Sequence, residues 1–533
     1  MGLSYRIGHA VWIRLEIFWC NLYRRGANKK IRSILERSPR EKEGKILIEA
    51  LWDHPHHWIR LALILRSFRS SYGSEVIGLF RQDALPRVQK TLKSMGTSDE
   101  IMLPKKIPDY CIEKADRLLH DVNSIEKLFD VEIAPGYPSH YFYDGVLKRE
   151  MAGQIDLTGS VLKVHLARTL FYIEFFKKVF DENEFRAIVI SHPTTIRFST
   201  LAYCAVEAGV PTFILNYRNE HITVRKISDL SLLGFDTEDS PTVVDLANLT
   251  QQSRGALIAR GRQFLDRLWK GEAGEISITK SRAPTNEVRH NARELANAVG
   301  GDPAKPNVVV LTSCWPDFPN ALGKTFFGDH VGWFKLTLSS AKMNPQYNWI
   351  FKPHPAEYLY GNQTSLSGLF REMDTRGVYL WPDNFSVVRL DQCSDCVVTA
   401  HGSAGFEFPA IGARALVARE TNYTNWGFSN FARSEQEYIK MLSRACELPL
   451  PTKEMRENAL IYIALRLTAT DEKTFAGYAY PWGRLGHKLW PNLSKFITKN
   501  MCFFDAEVGV MESWHGSNQR SYNVFKHLRN HSF

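Results

Sequence analysis

Cysteine is sparse in this chain and does not fall into a ligand pattern. The eight cysteines are scattered, and the one close pair, Cys393 and Cys396, has no second pair to complete a zinc site. Cys396 opens an apolar run, so the pair reads as structural. No internal repeat of about 20–50 residues occurs, which excludes solenoids and propellers, and no low-complexity tract interrupts the chain. A secretory signal peptide is lacking; with the unpaired cysteines this points to a reducing, cytoplasmic setting. The net charge of +10 comes without a zinc finger, an RNP signature or an arginine-rich tail, and the Lys and Arg residues are spread along the chain. Nucleic acid is therefore not an expected partner, whereas nucleotide ligands and an anionic membrane surface suit the charge.

A long hydrophobic run is lacking at the amino terminus as well. Residues 11–23 (VWIRLEIFWCNLY) are apolar and aromatic but too short, and with Arg14 and Glu16 too charged, to span a bilayer. Two readings stand. One is a helix packed on the protein's own core. The other is an interfacial helix whose basic flank (Arg24, Arg25, Lys29, Lys30, Arg32) meets anionic lipid, making the protein peripheral on the inner face of the plasma membrane.

What is present is enough apolar residue for two domains. At 533 residues and 44% hydrophobic, the chain can bury more than one core. Short β-branched runs alternate with periodic helices: strands at 45–51 and 73–80 around a helix at 58–68, then strands at 187–191 and 209–215 around a helix at 197–208. The turn His192-Pro193-Thr194-Thr195 falls at a strand's carboxyl end. Residues 84–142 read as helical and 162–180 as one long helix. A further helix is expected at 254–269, and the polar, charged 271–304 reads as linker. Strands follow at 307–312, 347–351, 378–381, 395–400 and 415–419, with helices at 330–342, 406–411, 434–446 and 454–467. The expected fold is α/β, two Rossmann-like domains facing a cleft. The divisions are a first domain at 1–285, a linker at 286–304, a second domain at 305–477, and an aromatic, basic tail at 478–533 returning to the first domain.

The chemistry is concentrated in 347–412. The run YNWIF at 347–351 reads as a buried strand stopped by Pro353 and Pro355, so Lys352 and His354 stand at its carboxyl end. The run CVVTA at 396–400 is again strand-like. His401 follows it, then Gly402, Ser403, Ala404 and Gly405, a small-residue turn leading into an apolar-periodic helix. Such a turn offers unpaired N–H groups and a favourable dipole to an anion, and the absent side chains of Gly402 and Gly405 let a phosphate approach the backbone. In an open parallel sheet, ligands collect beyond the carboxyl ends of the strands. Lys352, His354 and the phosphate turn are thus expected to face one ligand.

These residues resemble those of bacterial surface and capsular polysaccharide biosynthesis proteins, a GT-B group of glycosyltransferases. The likeness rests on Pro316-Asp317-Phe318 after one strand, Phe327-Gly328-Asp329-His330-Val331-Gly332-Trp333 opening the next helix, the Lys352-Pro353-His354-Pro355 strand end, and Gly402 to Glu407 followed by Gly412. It covers roughly 307–419 and is weaker at 187–215. A broader likeness is to transferases using CMP-activated acidic sugars such as Kdo and sialic acid, though a single Ser403 stands where the sialic acid enzymes show paired hydroxyls. The resemblance implies transfer of a sugar from a nucleotide-activated donor, CMP-Kdo or another CMP-linked acidic sugar among them. The acceptor it implies is a growing capsule or lipopolysaccharide glycan or glycolipid.

It implies no cofactor and no metal, because GT-B enzymes stabilise the leaving phosphate with protein groups; no Asp-x-Asp occurs in the chain. His354 is expected to donate to the leaving phosphate, Lys352 to add positive charge, and the 402–405 turn with the Ser403 hydroxyl to cradle it, beside His401. The plainer reading of His354 is a histidine capping a strand end. Glu407 either accepts a donor hydroxyl or is an acid favoured near a helix start. From the first domain, Asp144 and His192 are the expected bases, and Arg149 the group that binds an anionic acceptor. Two alternatives stay open. One is a UDP-sugar 2-epimerase of related shape, which needs paired acid/base groups and no acceptor. The other is a glycerol-phosphate transferase using CDP-glycerol, since polyglycerol-phosphate transferases of wall teichoic acid synthesis carry a similar Lys-x-His-Pro.

Overall fold

The computed structural model describes residues 24–33, 35, 43–50, 55–73, 75–81, 86–191, 193–218, 221–230, 240–270, 272, 291–355, 357, 363–382, 385, 390–467, 495, 498, 501–515, 517 and 521–523. The amphipathic 11–23 segment, the expected base His192 and most of 478–533 lie outside the described residues.

The amino-terminal half alternates strand and helix: β1 (Lys45–Glu49), α1 (Pro55–Phe68), β2 (Glu75–Arg81), α2 (Pro86–Ser94) and β3 (Thr97–Leu103). Three helices come next, α3 (Asp109–Leu119), α4 (Ser139–Glu150) and α5 (Ser160–Glu182), and then β4 (Phe185–Ile190), α6 (Ile196–Glu207), β5 (Thr212–Arg218) and β6 (His221–Ile227). These six strands and β13 (Ser521–Asn523) form a seven-stranded sheet of order β13-β6-β5-β4-β1-β2-β3, in which the β5-to-β3 portion is parallel. Alternation explains its burial. In β1, Ile46 and Ile48 join the core under α1, while Leu47 joins the core under α4, α5 and α6. A strand apolar on both faces belongs in a parallel sheet covered on both sides.

The second half begins with α7 (Gln251–Trp269) and α8 (Ala292–Val299). It continues through β7 (Asn307–Leu311), α9 (His330–Met343), β8 (Asn348–Lys352), β9 (Tyr379–Leu380), β10 (Cys396–Thr399), α10 (Ala404–Ala410), β11 (Ala415–Val417), β12 (Asn430–Phe431), α11 (Glu435–Leu442) and α12 (Lys453–Leu467). All six strands are parallel, in the order β12-β11-β10-β7-β8-β9. Val308, Val310, Trp349 and Phe351 face α9, whose Trp333, Phe334 and Leu338 share their core, and Val309 and Ile350 face Leu295 of α8. The two α/β sheets make the two Rossmann-like domains that the alternating pattern predicts.

The local readings miss β6, β12 and β13, and they fail in two further places. Residues 84–142 contain the strand β3, whose sequence TSDEIML is polar and largely exposed because it lies at the sheet edge. The stretch 271–304 contains α8, started by a capping box in which Asn291 accepts from the Glu294 N–H and the Glu294 carboxylate accepts from the Asn291 N–H.

Packing also joins segments far apart in the chain. α7 buries Leu257, Leu265 and Leu268 in one core with Phe406 of α10 and Leu460 and Ile461 of α12. α13 (Met501–His515) places Phe504, Val508, Met511 and Trp514 in the core that contains α1, and β13 (Ser521–Asn523) pairs antiparallel with β6. Among the described residues, no helix is long and apolar enough to cross a membrane.

Candidate functional site

The second sheet reverses its strand order between β7 and β10, the position at which the loops leaving two neighbouring strands part and open a crevice. Three turns surround it: 312–319 after β7, 352–355 after β8 and 400–405 after β10. Side chains tie them together. Cys314 Sγ lies 2.9 Å from His354 Nδ1. His330, at the start of α9, has Nδ1 at 3.1 Å from the Cys314 carbonyl and 3.3 Å from that of Trp315. Carbonyls only accept, so Nδ1 carries the proton and Nε2 is left as an acceptor. The His330 ring stacks on His401, with centroids 5.2 Å apart and planes 25° from parallel.

Both stacked rings are uncharged. Burial, opposed by the two backbone carbonyls, pulls His330 down to about 4, and burial together with the neighbouring His330 and Arg419 holds His401 well below the usual histidine value. His330 Nε2 and His401 Nδ1 are buried with no hydrogen-bond partner in the protein. Buried polar nitrogens without a partner are uncommon, and these two belong to rings that stack on each other.

The 402–405 turn is held from behind. Gly402 N–H donates to Thr399 Oγ1 at 3.2 Å, and the Tyr423 hydroxyl donates to the Gly402 carbonyl at 2.8 Å. A Cβ on Gly405 would stand 2.2 Å from that hydroxyl, so the missing side chain makes room for Tyr423 rather than for a ligand. Ser403 is exposed at the mouth of the turn, and Ala404, the next residue, is buried.

Other expected members are placed elsewhere. The Lys352 ammonium lies 4.4 Å from the centre of the Trp381 ring, beyond β9, on the opposite side of β8 from the 402–405 turn. Glu407 is buried and accepts from Trp269 Nε1 of α7 at 3.1 Å. Asp144 is fully buried on α4, where its two oxygens accept from the Asn320 N–H and side-chain amide, each at 2.9 Å. Burial pushes its pKa up to about 8, against the pull of Asn320 and Arg419. A carboxyl enclosed in this way serves the contact between the domains and has no face toward an acceptor hydroxyl.

Arg149 is exposed, one turn from Asp144, on a different face of α4. It lines a cavity of about 370 Å³ in the first domain, with Lys105, Lys148, His165, Arg168 and Arg197.

Sequence reasoning passed over Cys314, His330, Asn320 and Arg419. Arg419 donates to the carbonyls of Pro319, Leu322 and Gly323 and so fixes the loop that presents Asn320 to Asp144. His330 lies within a stretch already noted for opening a helix. Its polarity at a buried helix start was the available signal. Among the described residues, no group of three or more His, Cys, Asp or Glu side chains is placed to hold a metal ion.

Comparison with protein-family models and with curated proteins found no match. Among solved structures, the chain is similar to Thermosulfurimonas dismutans KpsC, a beta Kdo 2,4 transferase, at 14% identity over 51% of this chain and 85% of that one, with a TM-score of 0.31. It is similar to UDP-GlcNAc 2-epimerase from Neisseria meningitidis bound to UDP-GlcNAc at 12% identity over 86% and 99% of the two chains, with a TM-score of 0.23. The amino-terminal domain of Candida albicans trehalose-6-phosphate phosphatase is similar at 11% identity over 87% and 100%, with a TM-score of 0.30.

Proposed function

We propose that this protein is an enzyme acting on a nucleotide-activated sugar, with the nucleotide phosphate seated at the strand-order reversal of the second sheet. The observation that supports this is the meeting of His354, Cys314, His330 and His401 across three strand-end turns, beside the exposed Ser403. The finer reading is glycosyl transfer. The bond from the sugar's anomeric carbon to the phosphate oxygen breaks, a bond to an acceptor hydroxyl oxygen forms, and the hydroxyl proton leaves to a base. His354 donates to the departing phosphate, and the Ser403 hydroxyl and the turn around it hold its oxygens. The neutral imidazoles of His330 and His401 donate or accept without a charge that must be desolvated. The acceptor is a surface glycan, free or lipid-carried; a lipid-carried one would bring a chain of net charge +10 to the anionic inner face of the plasma membrane.

A second reading is favoured by one observation. Epimerisation of a UDP-sugar at carbon 2 without any acceptor needs paired acid/base groups, and the unpartnered nitrogens of His330 and His401 are the candidates for such a pair.

Thermal stabilisation by CMP, CDP, UDP and GDP, measured for the wild type and for His354→Ala, tests the shared premise. A ligand at a hundred times its dissociation constant adds about 2.7 kcal/mol. Stabilisation by one nucleotide, with turnover reduced about a hundredfold in a folded His354→Ala protein, is expected. No response to any nucleotide would remove the reading. UDP-sugar interconversion without acceptor would select the epimerase, and a CDP response with glycerol-phosphate transfer would move the donor class.

A further inference from the structure

The first domain holds a cavity whose charge nothing in the second-domain site explains. It lies where the ends of β3 and β4 and the start of α6 meet the facing surfaces of α4 and α5. Five cationic side chains line it, Lys105, Lys148, Arg149, Arg168 and Arg197, together with His165, and none of the described lining residues is acidic. Lys148 is paired with Asp317 at 2.7 Å. Lys105, Arg149 and Arg168 have no carboxylate partner among the described residues. Like charges gathered around a concave, partly apolar space repel one another and raise the local potential, a cost that a bound anion removes.

One of these cations, Arg168, is tied to a buried His–Glu pair. His165 is buried on α5, with Nε2 at 2.6 Å from Glu150 Oε1. In the neutral ring Nε2 then carries the proton, which leaves Nδ1 as acceptor for Arg168 Nη1 at 3.4 Å, one helical turn along. Glu150 orients His165, and His165 orients the guanidinium, the arrangement expected where a planar cation must meet a planar oxyanion. The volume of about 370 Å³ is far larger than one phosphate needs. Tyr172, Ile196 and Phe198 give it apolar wall of the kind on which a sugar ring rests.

We propose that this cavity binds an acidic saccharide, with its carboxylate or phosphate groups held by Arg149 and Arg168. Identifying that saccharide as the acceptor rests on the transferase reading; the binding itself does not.

Titration calorimetry of the full chain with three probes tests it: tri-galacturonic acid for carboxylates, fructose 1,6-bisphosphate for phosphates, and neutral maltotriose. At least one acidic probe is expected to bind, with affinity falling as ionic strength rises, while maltotriose does not. Arg149→Ala combined with Arg168→Ala is expected to weaken the acidic probe by about a hundredfold or more. Arg168→Lys, which keeps the charge but loses the fork, is expected to fall in between. The probe that binds distinguishes carboxylate from phosphate. Failure of both acidic probes, equal binding of maltotriose, or an unchanged affinity in a double variant with a wild-type melting temperature would overturn the assignment. The nucleotide response is measured on the same samples. If it is lacking while the acidic probe still binds, the nucleotide-sugar reading fails and the cavity's assignment stands.

Discussion

Asp144 carries the clearest consequence of burial on a single residue. Its carboxyl is enclosed and its pKa is raised to about 8. In the unfolded chain an Asp titrates near about 3.9. Between these values the native state keeps a proton that the unfolded chain has released. The stability contributed by this group is therefore fully present below the unfolded value and is lost as pH rises through about 8. His330 has the opposite sign. Its folded value of about 4 lies below the ordinary one, so its contribution is present above the ordinary value and is lost as pH falls through about 4. Thermal melts between about pH 6 and about pH 9 should show the wild-type midpoint falling with pH and Asp144→Asn falling less steeply. Parallel slopes would mean that Asp144 does not hold its proton in the native state. At this scale the sequence was only partly legible. His354, His401 and Ser403 are readable because they stand just past strand-like runs. The partners that decide their state are not. Cys314 is 40 residues from His354, and Asn320 is 176 residues from Asp144. Lys352 was legible as a cation at a strand end, but the Trp381 ring that holds it could not be foreseen from strand spacing.

Most strands of the two sheets, though not β6, β12 or β13, were legible because an apolar run on both faces of a parallel strand leaves a continuous signal, as in NVVVL and NWIFK. The polar edge strand β3 and the short α8 left weaker ones. Helix contacts are a different matter, because spacing shows that a face is buried but not against what. α7 and α12 illustrate it. Gly261 of α7 approaches so closely that an added Cβ would meet the Leu460 carbonyl oxygen of α12 at 2.0 Å. Backbone cannot yield as a flexible side chain does, so Gly261→Ala must move one helix off the other. A loss of about 1–3 kcal/mol is expected, typical of overpacking, and read as a lower urea midpoint at unchanged slope. An unaltered midpoint would show that the two helices do not meet at this glycine.

Side chains of α4 and the segment after it join the first domain to the second. Asp144 meets Asn320, the Tyr143 hydroxyl donates to Asp329 Oδ2 at 2.8 Å, and Lys148 pairs with Asp317. Further along, Gly153 N–H donates to Thr364 Oγ1 at 2.9 Å, and Lys335 donates to Gln154 at 2.9 Å. The loop and helix start that receive the first three of these contacts, 314–330, also carry Cys314 and His330 of the candidate site. Closure and site geometry are therefore one arrangement. Asp329 makes the connection concrete: its Oδ1 caps α9 by accepting from Gly332 N–H at 2.7 Å while its Oδ2 takes the Tyr143 hydroxyl. The pair Tyr143→Phe and Asp144→Ala removes three of the buried bonds and leaves Asn320 and Asp329 short of partners, at a cost of about 1–3 kcal/mol for each unsatisfied group. If closure depends on this set, solution scattering should give the double variant a larger radius of gyration than the wild type. Hydrogen exchange across 320–331 should rise, while the protection of β1 and β4 in the first sheet is kept. A radius equal to that of the wild type, with exchange unchanged at 320–331, would mean that apolar contact alone keeps the halves together and that the candidate site is assembled without help from the first domain.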